Sequence, residues 1–280
     1  MITCNLMGGL GNQLFQIFTT ISYAMQTKKK FVFLKTDSLG IGMTTKRDTY
    51  WNNLLNKLTP FLTQQQTNSV FIRENNFRYN DVLSQIIEQT NNNVCLFGFF
   101  QSYKYFESNY NTICRLINID KQKELILESY NTNNNLENTI SIHFRLGDYK
   151  KHQNYHPIMD FEYYKKAMSY IINKDSCENN VLFFCEDEDV HDVTITINKL
   201  QLVFPNVTFS RANNLLKDWE QMLLMSCCKH NIIANSSFSW WGAYFNQNPK
   251  KIVCYPSLWF GPQAKHDTQD LCPHDWNKIN

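Results

Sequence analysis

The chain is sparing with residues that break structure, with only 9 glycines and 7 prolines in 280 residues. That excludes collagen-like and Gly/Pro-rich disordered classes. Charge of one sign is also missing: the formal net charge is +2. Nothing therefore draws the whole surface toward nucleic acid or an anionic membrane, and any anion binding must be local. The apolar runs fall short of a membrane span, and no basic segment precedes a cleavable apolar stretch at the N-terminus. No Cys-x-x-Cys pair occurs among the nine cysteines, an odd number, and several of them lie in apolar runs. There a thiol behaves as a small hydrophobe. The pattern points to free thiols in a reducing compartment, hence the cytoplasm. The Cys227-Cys228-Lys229-His230 cluster is a poor metal site, because adjacent helical residues diverge and no second ligand pair is near.

What is present is enough for one large domain or two medium ones, with 43% hydrophobic residues, 20 Phe and 14 Tyr. Residues 2–7 read as a short buried strand. A glycine turn follows, Gly8 to Gln13, and then a helix over Leu14 to Gln26 carried by Phe15, Phe18, Ile21 and Met25. Lys28, Lys29 and Lys30 close that helix in the sense its dipole favours. Phe31 to Lys35 is the next strand, which completes a βαβ opening. Residues 37–75 are less regular. Val82–Gln89 and Tyr103–Ile117 read as helices, with a strand from Asn93 between them. A polar helix from Lys121 runs into an Asn-rich link, where the domain boundary is expected.

A second β/α series follows. Strands are predicted at 139–145, 181–187, 206–211 and 250–260, and another at the start of the Asn231 segment. Helices are predicted at 161–174, 190–204, 214–230 and after Ser239. The chain thus reads as α/β, with two Rossmann-like domains at 1–130 and 136–260 and a C-terminal tail at 261–280. Sites in such sheets lie at the carboxyl ends of the strands.

Four segments fall there. In the first, Gly9, Gly11 and Asn12 offer backbone N–H groups and a carboxamide to a phosphate or sugar oxygen; the plainer reading is a tight turn. In the second, His143 and Arg145 alternate along a strand and so face one way. Arginine at such an end can clamp a diphosphate in bidentate fashion, whereas an Arg145–Asp148 surface pair would contribute little. In the third, Glu186 and Asp187 follow an apolar strand and suit a solvated loop, a guanine edge or hydroxyl activation. In the fourth, Asn235, Ser236, Ser237 and Ser239 precede Trp240 and Trp241, as in a hydroxyl-rich helix N-terminus that binds anions. His156 lies in a polar, aromatic loop and can act as a base near neutral pH.

Together these segments resemble glycosyltransferase family 11, the α-1,2-fucosyltransferases. Gly8–Gln16, Leu96–Phe106, His143–Tyr149 and Met222–Phe245 resemble that family's signatures, in order and across most of the chain. The resemblance implies a GT-B fold, GDP-β-L-fucose as donor and a sugar hydroxyl, often O2 of galactose, as acceptor. It also implies inversion without an obligatory metal or other cofactor. On this basis the C-terminal domain holds the GDP-sugar and the N-terminal domain the acceptor. The donor would be held by Gly9, Gly11, Asn12, His143, Arg145, Glu186, Asp187, Asn235, Ser236, Ser237 and Ser239. Arg145, Asp148 and His156 would serve catalysis, with the base open among His156, Asp148, Glu186 and Asp187. No nucleic acid is expected as partner, and a cytoplasmic placement allows peripheral attachment where glycans are assembled. One position departs from the family's HxRRGDY pattern: Leu146 stands where its second arginine would be. Transfer of another GDP-sugar, and a catalytically silent glycan- or nucleotide-binding module, are the competing readings.

Overall fold

The structure is a computed structural model that describes residues 1–40, 46–66, 68–130, 136–175, 180–264 and 266–280. It divides into two compact units, Met1–Gln122 with His266–Pro273, and Lys123–Lys265 with His274–Asn280. The boundary expected at the Asn-rich link falls earlier, inside helix α4 (Ile119–Tyr130). A polar helix without glycine or proline carries no sign of such a break. Residues 131–135 of that link, and Cys177, lie outside the described residues. The expected tail is not a separate appendage: residues 266–273 group with the first unit and 274–280 with the second.

The first unit opens with β1 (Ile2–Cys4) and α1 (Leu10–Gln26). Short strands follow: β2 (Phe33–Leu34), β3 (Ser38–Leu39), β4 (Arg47–Asp48) and β5 (Leu62–Thr63). Then come β6 (Val70–Arg73), α2 (Leu83–Gln89), β7 (Val94–Phe97) and α3 (Tyr110–Leu116). The main sheet is three-stranded and parallel, in the order β1-β7-β6. Its strand β6 arises in the stretch that reads as irregular.

Helix α1 begins four residues earlier than its apolar spacing predicts. Gly11, Asn12 and Gln13 lie in its first turn, and only Gly8 (φ +76°) and Gly9 form the bend. Buried amides hold that start. Gln16 accepts from Met7 N at 2.9 Å, and Gln13 donates to Gly8 O at 3.0 Å and Asp48 O at 2.8 Å. The helix is buried on almost every side, Leu14, Phe15, Ile17 and Phe18 being fully inaccessible. Each such side chain contributes about 1.5–3 kcal/mol. Lys29 does not serve the end of α1: its ammonium donates to Ile87 O and Thr90 O at the end of α2, both at 2.5 Å.

The second unit is more regular. Its strands are β8 (Thr139–His143), β9 (Asn180–Phe184), β10 (Thr208–Arg211), β11 (His230–Ile232), β12 (Val253–Pro256) and β13 (Asn277–Ile279). They form one parallel sheet, β10-β9-β8-β11-β12-β13. Its helices are α5 (Phe161–Lys174), α6 (Val190–Val203), α7 (Asp218–Ser226) and α8 (Ser237–Tyr244). Asp160 caps α5 by accepting from Tyr163 N at 3.0 Å. The β-branched helix α6 forms because Val193, Ile197 and Leu200 fall on one buried face. Ile140, Ile142, Val181 and Phe183 meet Tyr164, Met168 and that face in one core. Trp240 and Trp241 are fully buried, with Trp240 5.4 Å from Trp276 and Trp241 5.0 Å from Phe245 between ring centroids. Both tryptophans pack α8; neither is a stacking platform for a ligand.

No helix among the described residues is long and apolar enough to cross a membrane.

Candidate functional site

Register places three of the four expected segments, those after β8, β9 and β11, on one edge of the second sheet. Strand β8 lies between β9 and β11, with His143 opposite Phe184 and Ile142 opposite Ile232. What leaves β8 therefore emerges between Glu186 on one side and Asn235 on the other. Beyond β9, Arg211 closes β10 opposite Phe183.

Strand β8 ends at His143, so Arg145 belongs to the following loop and not to the strand. The pair is still brought together. Burial, with the charge of Arg145 adding, depresses the His143 imidazole to about 3, so the ring is neutral. It lies 5.3 Å from the Phe238 ring in the first turn of α8, and its buried Nδ1 has no hydrogen-bond partner. Arg145 donates from one terminal nitrogen to Glu186 and from the other to Asp148. Its guanidinium also stands 4.9 Å from the Tyr149 ring. Burial opposes that charge, but Glu186 and Asp148 outweigh it and raise the pKa.

The loop is shaped for this contact. Gly147 has φ +40°, and a β-carbon there would come within 2.8 Å of Glu186 Oε2. Its N–H donates to the buried Asp189 at 2.7 Å, which Lys150 neutralises at 2.8 Å. Leu146 turns the other way and packs on the unit's core. The residue in the place of the second arginine is thus an anchor for the loop.

Tyr149 extends the cluster. Its hydroxyl donates to Asn235 O at 3.2 Å, and its ring stacks on His156 at 4.7 Å. Asn235 is buried, its amide donating to Pro157 O at 2.9 Å and Trp259 O at 3.1 Å. It ties the His156 loop to α8, a bracing position in place of the expected ligand contact. Ser236 caps α8, accepting from Phe238 N at 3.3 Å. Ser237 is half-buried and its hydroxyl is uncommitted. Ser239 does not face the edge: it is fully buried, and its hydroxyl turns back to Ser236 O at 3.4 Å and Ala234 O at 3.5 Å. Asp187 parts from Glu186 and pairs with Arg211, which also reaches Cys185 O at 3.5 Å.

Gly9 and Asn12 belong to the first unit. Gly9 precedes α1 with open space where a side chain would stand, whereas Gly11 is buried in the helix. Asn12 accepts from Gln101 Nε2 at 2.8 Å, and its side chain fills the space a β-carbon on Gly8 would need. Sequence reasoning assigned no role to Tyr149, Gly147 and Arg211. The first two sit inside a recognised motif, but Arg211 meets its acid only through the parallel pairing of β9 and β10. Among the described residues, no three His, Cys, Asp or Glu side chains gather as metal ligands.

Two α/β units, with chemistry at the carboxyl edge of a parallel sheet, have counterparts among solved glycosyltransferases. The chain matches Escherichia coli ADP-heptose LPS heptosyltransferase II with a TM-score of 0.52 at 10% identity, covering 99% of this chain and 89% of that one. It matches a mutant of Arabidopsis thaliana FUT1, solved in complex with GDP, with a TM-score of 0.51 at 12% identity, covering 99% and 75%. The fold is thus of the GT-B class. The family itself comes from sequence: the model for glycosyl transferase family 11 matches residues 1–280, and the chain belongs to that family. It is 29% identical to the Escherichia coli O-antigen biosynthesis glycosyltransferase WbnK over 95% of this chain and 96% of that protein. It is 26% identical to an Escherichia coli alpha-1,2-colitosyltransferase over 100% and 99%.

Proposed function

We propose that the chain transfers L-fucose from GDP-β-L-fucose to a sugar hydroxyl, O2 of a terminal galactose, during assembly of a cytoplasmic glycan precursor. The observation that carries this reading is the family match over residues 1–280. The relatives named for O-antigen biosynthesis and α-1,2 transfer support it.

The chemistry asks for one in-line displacement. The acceptor oxygen attacks the anomeric carbon, the bond to the diphosphate oxygen breaks, and GDP leaves with the electron pair. Fixed donors must meet the charge that develops on it. Arg145 is suited to that task, since its two carboxylate bonds use two of the five N–H donors a guanidinium has. The Arg145 side chain is 16% exposed, but that of Glu186 is 50% and that of Asp148 53% exposed. The acids thus stand on the solvent side, holding the fork in place until a diphosphate competes for it. The start of α8, with Ser236 and Ser237, adds N–H groups and a hydroxyl. Neutral His143 adds polarity without charge.

Colitose is the second reading, favoured by the colitosyltransferase that aligns with the whole chain. Colitose lacks the 3-hydroxyl of fucose, and a site that hydrogen-bonds that group discriminates strongly. The test is a donor panel of GDP-L-fucose, GDP-colitose and GDP-mannose against galactose-terminated acceptors, with linkage analysis of the product. An α-1,2-fucosylated product supports the first reading. Preference for GDP-colitose supports the second, and binding without transfer to any acceptor defeats both.

A further inference from the structure

The first unit has a pocket of its own, toward the carboxyl edge of its strands. A bridge between Ile2 and Phe31 sets β2 and its partner β5 beside β1. Register lays Thr3, Cys95 and Phe71 in a row across β1, β7 and β6. Side chains alternate along each strand, so these three share a face. Ile2, Val94 and Leu96 point the other way and are fully buried. Leu34 and Thr63, opposite each other on β2 and β5, border the pocket on one side. Asn5, after β1, and Gln65 and Gln66, after β5, complete its wall. The volume is about 130 Å³. That is room for roughly ten water-sized groups at about 10–15 Å³ each, the scale of one sugar ring with its hydroxyls.

The lining determines what fits. Among the described residues that form it, none carries charge, and burial pushes the thiols up, to about 12 at Cys4 and about 11 at Cys95. A phosphate, carboxylate or ammonium would therefore enter without a counter-charge. The polar groups are held in place yet uncommitted. Asn5 is fixed by its backbone N–H, which donates to Leu96 O at 2.9 Å. The N–H of Gln65 donates to the Thr63 hydroxyl at 3.2 Å. The side-chain amides of Asn5, Gln65 and Gln66 make no hydrogen bond among the described residues. Phe71 supplies the apolar part. It is 57% exposed, and its ring meets Phe97 edge-on at 6.4 Å between centroids. Phe97 in turn lies 4.5 Å from the Arg73 guanidinium, so the Phe71 ring is braced and still open to solvent. An amide offers a donor and an acceptor, as a sugar hydroxyl does. The negative face of an aromatic ring suits the C–H bonds of a pyranose.

We propose that this pocket binds one neutral pyranose unit of a glycan, stacked on Phe71 and hydrogen-bonded by Asn5, Gln65 and Gln66. The site lies wholly within the first unit. It goes beyond the transfer reading above and does not rest on it, since a silent glycan-binding module would use the same pocket.

The test titrates lactose and maltose into the full chain without nucleotide, followed by ligand-observed NMR, with glucuronic acid as the charged counterpart. The wild type should bind at least one disaccharide, and glucuronic acid should not displace it. Phe71→Ala removes the stacking ring, and Asn5→Asp replaces a donor by a charge. Both positions are exposed, so the melting temperature should stay at the wild-type value. Each substitution should raise the disaccharide Kd about three- to tenfold, with GDP affinity unchanged. A wild type that binds neither disaccharide would overturn the proposal. Affinity within twofold of wild type in both variants would overturn it too, by placing the sugar elsewhere, as would displacement by glucuronic acid. The donor panel reads transfer separately, so either proposal can fail while the other stands.

Discussion

The two sheets present opposite kinds of edge. In the second unit, six parallel strands bring two arginines out among acids, and the charges are compensated there: Arg145 by Glu186 and Asp148, Arg211 by Asp187. In the first unit, three strands end in glycine bends, carboxamides and one carboxylate oxygen with no partner. A compensated cationic edge can exchange its acids for a diphosphate at small cost, since exposed pairs are worth only about 0–1 kcal/mol each. In the proposed transfer, the compensated edge of the second sheet is the one suited to the leaving diphosphate.

The largest effect expected from breaking this contrast is at Arg145. Arg145→Ala should lower transfer about 100- to 1,000-fold. It should leave thermal unfolding nearly unchanged, because the acids it releases are half-exposed. Activity assays beside calorimetric melting check both. Wild-type activity would remove the arginine from the donor site.

Gly147→Ala should act on stability and activity together. The β-carbon would crowd Glu186 at a φ of +40°. A loss of about 1–2 kcal/mol in denaturant unfolding is expected, with weakened transfer. An unperturbed variant would show that the Arg145–Glu186 contact does not depend on this turn.

Much of the second unit was legible before its structure. The helix at 161–174 lies where its spacing and Asp160 place it, and the β-branched α6 keeps its helical face. The GT-B fold and the family stand as the motifs indicate. The misses share a cause: interactions distant in sequence decided them. The start of α1 is set by Gln13 reaching Asp48 and Gln16 reaching Met7, which no periodicity reports. The stretch 103–117 reads as one helix, but only Tyr110–Leu116 is α-helical, after two short 3-10 turns at Tyr103–Tyr105 and Glu107–Asn109. The buried packing of Tyr103, Tyr105 and Phe106 accompanies that break. The helix expected over 214–230 shortens to Asp218–Ser226, because His230 is recruited into β11 beside Ile140. The three residues of β13 are too few to show alternation. At the candidate site, the sequence brought Arg145 and Glu186 forward as candidates, but the inward turn of Ser239 and the split between Glu186 and Asp187 were not legible.

Acid should separate the two sheets as well. The pKa of His143 lies near 3 in the fold against about 6.5 unfolded, and burial lowers that of His230 too. Between the two His143 values the unfolded chain binds the proton that the native one refuses. The His143 contribution is therefore full above pH 6.5 and falls as pH drops toward 3, by at most about 1.4 kcal/mol per pH unit, and His230 acts in the same direction. His143→Gln should flatten part of that slope in pH-dependent unfolding. An unchanged slope would mean that the imidazole is not held neutral.

The smallest effect is expected at Ser237. Its hydroxyl has no role within the protein, so Ser237→Ala should leave stability alone and raise the Kd for GDP about two- to fivefold, the worth of one neutral hydrogen bond. Unchanged GDP affinity would confine the donor to the Arg145 side of the edge.

Calorimetric titration of GDP into the wild-type protein and Arg145→Ala tests the central claim most directly. The account predicts binding to the wild type and a Kd at least tenfold higher in the variant. Equal affinity in the two would contradict the assignment of the donor diphosphate to the carboxyl edge of the second sheet.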